Sequence, residues 1–147
     1  VIIWSRFRYD ITSIVKALNS KYKGTVARSF FGDTSDSDRV EIVRDFQDMN
    51  SELRFIVGNP STAGRGLTLT AANPVIYYAN DFNLETRIQS EDRCHRIGQN
   101  NPVTYVDLIA EGTIDERVVK ALQNKLDLSA KVLKEERKQW LELTPKK

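Results

Sequence analysis

The stretch Gln89-Ser-Glu-Asp-Arg-Cys-His-Arg-Ile-Gly-Gln99 governs how the whole chain is read. It sets Arg93 and Arg96 three residues apart in a segment that reads as helical up to Gly98, a stop signal. Residues three apart on a helix project from one face. Two guanidiniums there make a double fork suited to phosphate oxygens, charged at any working pH. Glu91 and Asp92 offer the plainer alternative, a solvated face in which the same arginines are tied up in salt bridges. Charge spacing alone favours the plainer alternative. The rest of the chain overturns it.

On the amino-terminal side, residues 1–5 form a short apolar, β-branched run that predicts a buried strand. Asp10 or Thr12 is expected to cap a helix whose Ile11, Ile14, Val15 and Leu18 recur at helical spacing, with Gly24 ending it. Residues 25–30 read as a second strand, and 32–38 as a polar loop rich in capping residues. A second helix follows with Val40, Ile42, Val43 and Phe46 as its apolar positions. Residues 53–57 predict a third strand, which runs into the glycine-punctuated loop 58–66 and a helical turn at 67–72. Residues 74–78 predict the fourth strand, and a polar loop leads from it to the helix carrying Gln89, Arg93 and Arg96.

On the carboxyl side, the turn signal Asn100-Asn-Pro102 precedes a fifth strand at 103–109. Thr113 is expected to cap a helix running to about residue 126, with Ile114, Val118, Leu122 and Lys125 on successive turns. A separate amphipathic helix is predicted from about 129 to 143. Two units follow: a lobe over residues 1–127, and a terminal helix with a basic tail over 128–147, whose expected roles are packing and solubility. Strands alternating with helices predict an α/β fold, a parallel sheet of about five strands with helices on both faces. Ligands in such sheets bind at the carboxyl ends of the strands; the loops at 59–66 and 79–84 both follow strands at that edge, and Arg93 and Arg96 are expected to leave their helix beside it.

With 147 residues, 40% hydrophobic and 29% charged, the chain has the composition of one soluble globular domain. Its longest apolar runs are far short of a membrane span, and no secretory signal is present. It begins in an apolar run without an initiator Met, which predicts a segment of a longer polypeptide. The single cysteine, Cys94, excludes an internal disulfide and a multi-cysteine zinc site and points to an intracellular, reducing setting. Net charge is +2, from 22 basic and 20 acidic residues, so overall charge does not announce a nucleic-acid binder. Arg6, Arg8, Lys21, Lys23 and Arg28 could cluster locally, against the ordinary reading that scattered basic residues serve solubility.

The loop Pro60-Ser-Thr-Ala-Gly-Arg-Gly-Leu-Thr-Leu-Thr70 is hydroxyl-rich and is expected to open a helix, where backbone N–H groups can take a phosphate or a carboxylate. Tight-turn packing explains such glycines at least as often. No Gly-Lys-Ser/Thr phosphate cradle occurs anywhere in the chain, and no Asp-Glu pair ends an apolar strand to hold a nucleotide magnesium. Alone, the chain is not expected to turn over a nucleoside triphosphate.

In this order the pieces resemble the second RecA-like lobe of a superfamily 2 helicase, of the Swi/Snf type of DNA translocase. Val1-Ile-Ile-Trp-Ser-Arg-Phe7 is similar to motif IV, and Gly32-Asp-Thr-Ser with Arg39 and Phe46 to the motif IVa region. Ser61-Thr-Ala-Gly-Arg-Gly-Leu-Thr-Leu-Thr-Ala-Ala72 resembles motif V. Gln89 to Gln99 resembles motif VI, Gln-x3-Arg-x2-Arg-x-Gly-Gln, the most specific of these matches. Gly112-Thr-Ile-Asp resembles the helix start that follows motif VI. The resemblance covers the chain to about Lys125.

The resemblance implies that ATP sits between two lobes. The N-terminal RecA-like lobe would supply the phosphate-binding lysine and the carboxylates for Mg2+. Arg93 and Arg96 would be arginine fingers, Gln89 would help position motif VI against nucleotide or first lobe, and Gly64 and Gly66 would belong to the same nucleotide and backbone contacts. Ser5, Arg6, Ser35, Arg65, Thr68 and Thr70 would contact the backbone of double-stranded DNA, with RNA not separated from it by the residues themselves. No metal is expected on this lobe and no membrane partner.

Two departures stand out. Ala63 or Arg65 occupies the place of a third motif V glycine, and Ala79-Asn-Asp-Phe-Asn-Leu84 stands where the family has Asp-x-x-Trp-Asn-Pro, with Phe82 replacing the tryptophan. The compact form, without long insertions, leans towards a protein of bacterial or phage-infected cytoplasm. His95 reads as a hydrogen-bonding residue, since a metal would need partners the sequence does not supply. Cys94 reads as a small packed residue, with no second His to activate it as a nucleophile. A nucleic-acid-binding module without catalysis and a regulatory scaffold on the same fold are the competing classes.

Overall fold

Five short strands pair in one parallel sheet: β1 (Ile2–Trp4), β2 (Ala27–Phe30), β3 (Phe55–Gly58), β4 (Pro74–Tyr77) and β5 (Thr104–Asp107). The computed structural model describes residues 1–62 and 67–142. The strand order is β2-β3-β1-β4-β5, with every neighbouring pair parallel. Four helices accompany the strands among the described residues: α1 (Arg8–Tyr22), α2 (Asp36–Gln47), α3 (Leu84–Glu91) and α4 (Ile114–Glu142).

Side chains alternate across a strand, and here the alternation builds two cores. Ile2, Trp4, Ile56, Val75 and Tyr77 point to one face, where they join Phe30, Ile42, Phe46, Leu53, Leu69, Ala72 and Cys94. Ile3 and Val57 point to the other and meet Ile11, with Ile14, Val15 and Leu18 packed around them. The spacing of Ile11, Ile14, Val15 and Leu18 therefore makes α1 the cover of the second face, while Ile42 and Phe46 bring α2 onto the first. Full burial of each such aliphatic side chain is worth about 1.5–3 kcal/mol, and the sheet is apolar on both sides because both are covered. Gly58 ends β3 where a Cβ would lie 2.4 Å from Phe30 O and 3.2 Å from Trp4 Cζ3. That close approach requires glycine.

Several boundaries differ from the sequence-based expectation. Neither Asp10 nor Thr12 caps α1; its N-cap position is Phe7, and Asp10 lies in the first turn bonded to Ser5 Oγ at 3.0 Å. The left-handed residue ending α1 is Lys23 (φ 53°), one position before Gly24. Val40, expected on the apolar face of α2, is exposed. Residues 67–72 form a turn closed by Ala72 N–H to Leu69 O, with no helix, so the loop before them does not open one. The two helices expected after Thr113 are one continuous helix that runs through 127–128, because no glycine or proline interrupts it. Among the described residues, no helix is long and apolar enough to cross a membrane.

Candidate functional site

The arginine segment is not the single helix its spacing predicts. α3 ends at Glu91, and Arg93 and Arg96 lie in the turns that follow. Tertiary contacts override the helical spacing. Cys94 is fully buried beside Leu69 and Ala72, and Leu69 N–H donates to Arg93 O at 2.9 Å. Cys94 and His95 N–H both fold back onto Glu91 O at 3.0 Å. Gly98, at φ 101°, closes the last turn, with Gln99 N–H donating to Arg96 O.

This segment is fastened to the chain that enters β4. Gln99 Nε2 donates to Thr70 O (3.0 Å) and Ala72 O (2.9 Å), and Gln99 Oε1 accepts Asn101 N–H. From the other side Gln47, the last residue of α2, donates to Thr68 O (3.0 Å) and accepts Ala71 N–H (2.8 Å). Thr104 N–H at the entry of β5 bonds Asn73 O. The arginines therefore sit towards the amino ends of β4 and β5, which corrects the expectation that they lie beside the strand carboxyl ends. The loops at 59–62 and 78–83 do lie at the carboxyl edge.

Arg93 and Arg96 share an open groove of about 950 Å³ with Gln89, Glu91, Asp92 and Tyr105 among its lining. Arg93 Nε is buried without a hydrogen-bond partner among the described residues. Arg96 Nη1 lies 3.3 Å from Leu67 O and from Thr68 Oγ1. Neither arginine makes an ion pair among the described residues. The salt-bridge face offered by Glu91 and Asp92 does not form, since Glu91 pairs with Arg87 instead. Two guanidiniums with spare donors beside an open groove fit an anionic group such as a nucleotide phosphate.

The other expected residues separate. Gln89 is exposed and bonds Glu85 at 2.9 Å. Arg6 is exposed at the carboxyl edge, 3.8 Å from Asp81. Ser35 caps α2 and accepts Asp38 N–H. Thr68 and Thr70 sit with the arginines, Thr70 Oγ1 lying 3.4 Å from Gln47 Nε2. Ser5 is corrected. It is fully buried, its hydroxyl donates to Asp10 and accepts Phe7 N–H, and it has no face to offer a nucleic-acid strand. Gly64, Arg65 and Gly66 lie outside the described residues. No group of three metal-ligating side chains occurs among the described residues.

Sequence reasoning missed Arg87. Its guanidinium stacks over the Tyr77 ring at 3.5 Å and pairs with both Glu91 and Asp107. It also donates to Asn80 Oδ1 at 3.0 Å. Burial alone would lower its pKa, but Asp107 and Glu91 outweigh burial and raise it. The spacing of Arg87 and Glu91, four apart on a helix, was a readable signal. Gln47 had none. Burial pushes the Cys94 thiol up to about 12, which fits a packed, unreactive cysteine.

Residues 1–98 match the family described as helicase conserved C-terminal domain. The chain belongs to that family. It is a C-terminal RecA-like lobe of a superfamily 2 helicase of the Swi/Snf type. It is 40% identical over 110 residues to Protein CHROMATIN REMODELING 19 of Arabidopsis thaliana, covering 75% of this chain and 14% of that protein. It is 37% identical over 137 residues to the Drosophila melanogaster homolog of the SWI/SNF-related matrix-associated actin-dependent regulator of chromatin subfamily A containing DEAD/H box 1, covering 93% of this chain and 16% of that one. The fold superimposes on the crystal structure of the C-terminal part of the Fun30 ATPase domain with a TM-score of 0.72 and 26% identity, over 82% of this chain and 38% of that one. The chain thus spans a small part of its relatives' length. These relatives lend no support to a bacterial or phage origin.

Proposed function

We propose that this lobe completes the nucleotide site of a two-lobe, DNA-stimulated ATPase and contributes to its grip on the DNA backbone. The observation that carries this reading is the shared groove, in which, among the described residues, Arg93 and Arg96 keep their charge unpaired while the nearest helical carboxylate, Glu91, is held elsewhere. ATP with Mg2+, held chiefly by an N-terminal lobe, would supply the phosphoryl group whose transfer develops negative charge. Arg93 and Arg96 would present donors to that charge, an effect typically worth ~10³-fold or more in rate. Gln99 would hold the arginine segment against residues 68–72, which Gln47 fastens to α2, and Gln89 would face nucleotide or first lobe from the groove's rim. Arg6 and Ser35, at the carboxyl edge, are the proposed backbone contacts together with Arg65, Gly64 and Gly66. Thr68 and Thr70 are assigned to the arginine side.

The test is kinetic, in the full-length protein. Arg93→Ala and Arg96→Ala should each lower kcat for ATP hydrolysis about 10³-fold, roughly 4 kcal/mol of transition-state stabilisation, with DNA affinity nearly intact. Arg96→Lys should rescue poorly because an ammonium cannot reproduce the planar fork. Residues 1–147 alone should show no DNA-stimulated hydrolysis. Normal kcat in both alanine variants would return the lobe to a non-catalytic binding or regulatory role.

A further inference from the structure

Arg87 is 13% exposed, and each part of its guanidinium is engaged. Nε bonds Glu91, the Nη groups bond Asp107, and Nη1 also reaches Asn80, whose Nδ2 donates to Asp107 at 2.7 Å. Tyr77 lies beneath its plane. A planar fork held by two carboxylates, an amide and an aromatic ring is a rigid post. Of the residues it holds, Glu91 lines the groove of Arg93 and Arg96, and it precedes Arg93 by two positions. Among the described residues, the charged groups facing that groove are Glu91, Asp92, Arg93 and Arg96, with His95 and Tyr105 beside them. With Glu91 tied to Arg87, the groove is net positive. A released Glu91 would bring it to about neutral, with a carboxylate free to bond Arg93.

We propose that Arg87 is a positioning residue that holds Glu91 away from Arg93 and so keeps the arginine pair unneutralised for its phosphate ligand. This rests on the reading of Arg93 and Arg96 as phosphate contacts. It gives Arg87 a role apart from stability. A purely structural post would be missed equally whether residue 91 carried a charge or not, whereas a post that sequesters a carboxylate becomes dispensable once that carboxylate is neutral.

The experiment compares Arg87→Met, Glu91→Gln, the double variant and Arg93→Ala in the full-length protein. Its readouts are kcat, KM for ATP, equilibrium binding of a fluorescent ATP analogue and melting temperature. Arg87→Met should lower kcat about 10–100-fold and weaken analogue binding. The double variant should return both to within about threefold of Glu91→Gln. Its melting temperature should stay as low as that of Arg87→Met, because the contacts to Asp107 and Asn80 remain broken. If Arg87→Met does not fold, Arg87→Lys takes its place: an ammonium keeps a charge for Asp107 but cannot fork to both carboxylates, and Glu91→Gln should again restore kcat. A collapse in Arg93→Ala without rescue in the double variant overturns the Arg87 proposal alone. Normal kcat in Arg93→Ala overturns the arginine reading, and the Arg87 proposal falls with it.

Discussion

Gln99→Ala isolates what fastens the arginine segment to the lobe. The wild-type side chain donates to Thr70 O and Ala72 O at 3.0 and 2.9 Å and accepts Asn101 N–H at 3.0 Å. Truncation removes three well-formed bonds at a half-buried position. Each is worth roughly 1 kcal/mol net, and water can reach part of what is left unpaired, so the expected loss is about 2–3 kcal/mol. For a domain of this size that corresponds to a fall in melting temperature of about 4–12 °C. Gln99→Glu keeps the acceptor and sets a second oxygen against the two carbonyls. It should destabilise at least as much at pH 7, and less once acid protonates the new carboxyl. Gln47 grips the same strip, residues 68–72, from the α2 side through Thr68 O and Ala71 N–H, so Gln47→Ala and Gln99→Ala should be non-additive. Urea and thermal unfolding of the wild type, the three single variants and the double alanine variant supply the numbers. Melting temperatures within 1 °C of wild type for both Gln99 variants would refute the claim that this amide fastens the segment.

Gly58→Ala should lower stability by about 1–3 kcal/mol or more, because the atom it strikes at 2.4 Å is the Phe30 backbone carbonyl and cannot swing away; an unchanged urea midpoint would count against that. Cys94, buried and with its thiol pushed up to about 12, should resist iodoacetamide at pH 8 in the native state and react on unfolding; stoichiometric native labelling would contradict its place in the core. Alkali should destabilise the lobe. Burial raises Cys94 and Tyr105 to about 12 and raises Tyr77 as well, so the unfolded chain ionises first, from its ordinary values of 9 and 10. It then binds fewer protons than the native state, and stability falls as pH rises from about 9 towards 12. A urea midpoint that stays flat between pH 8 and pH 11 would show the opposite.

The positions of the strands and the parallel type of the sheet were legible because parallel strands covered on both faces read as apolar runs, as at Ile2–Trp4 and Pro74–Tyr77. What the chain hid lay where tertiary contacts decide local structure. The spacing of Arg93 and Arg96 looks helical, but burying Cys94 and pairing Arg93 O with Leu69 N–H pull the chain off the helix. The start of α1 depends on the Ser5–Asp10 pair, which no periodicity announces. A separate helix is expected from about residue 129, but with no glycine or proline near it the preceding helix continues. At the site, motif VI marked the arginines directly. Gln47, whose role depends on where α2 ends in space, could be found only from the fold.

β1 has a further consequence for how the sheet is assembled. Ile2–Trp4 pairs with β3 on one side and β4 on the other, while β2 pairs with β3 and β5 with β4. Among the described residues, three positions are thus the whole ladder between two halves, each a strand–helix–strand unit able to close locally. Ile2 faces Ile56 and Val75, more than fifty residues later in the chain, so during synthesis at ~5–20 residues per second this strand leaves the ribosome seconds before either neighbour. If residues 1–4 were displaced from the sheet, β3 and β4 would flank a slot about 10 Å wide with unpaired backbone on both sides. That is the width of a single extended strand, and an apolar peptide from any source would find it open.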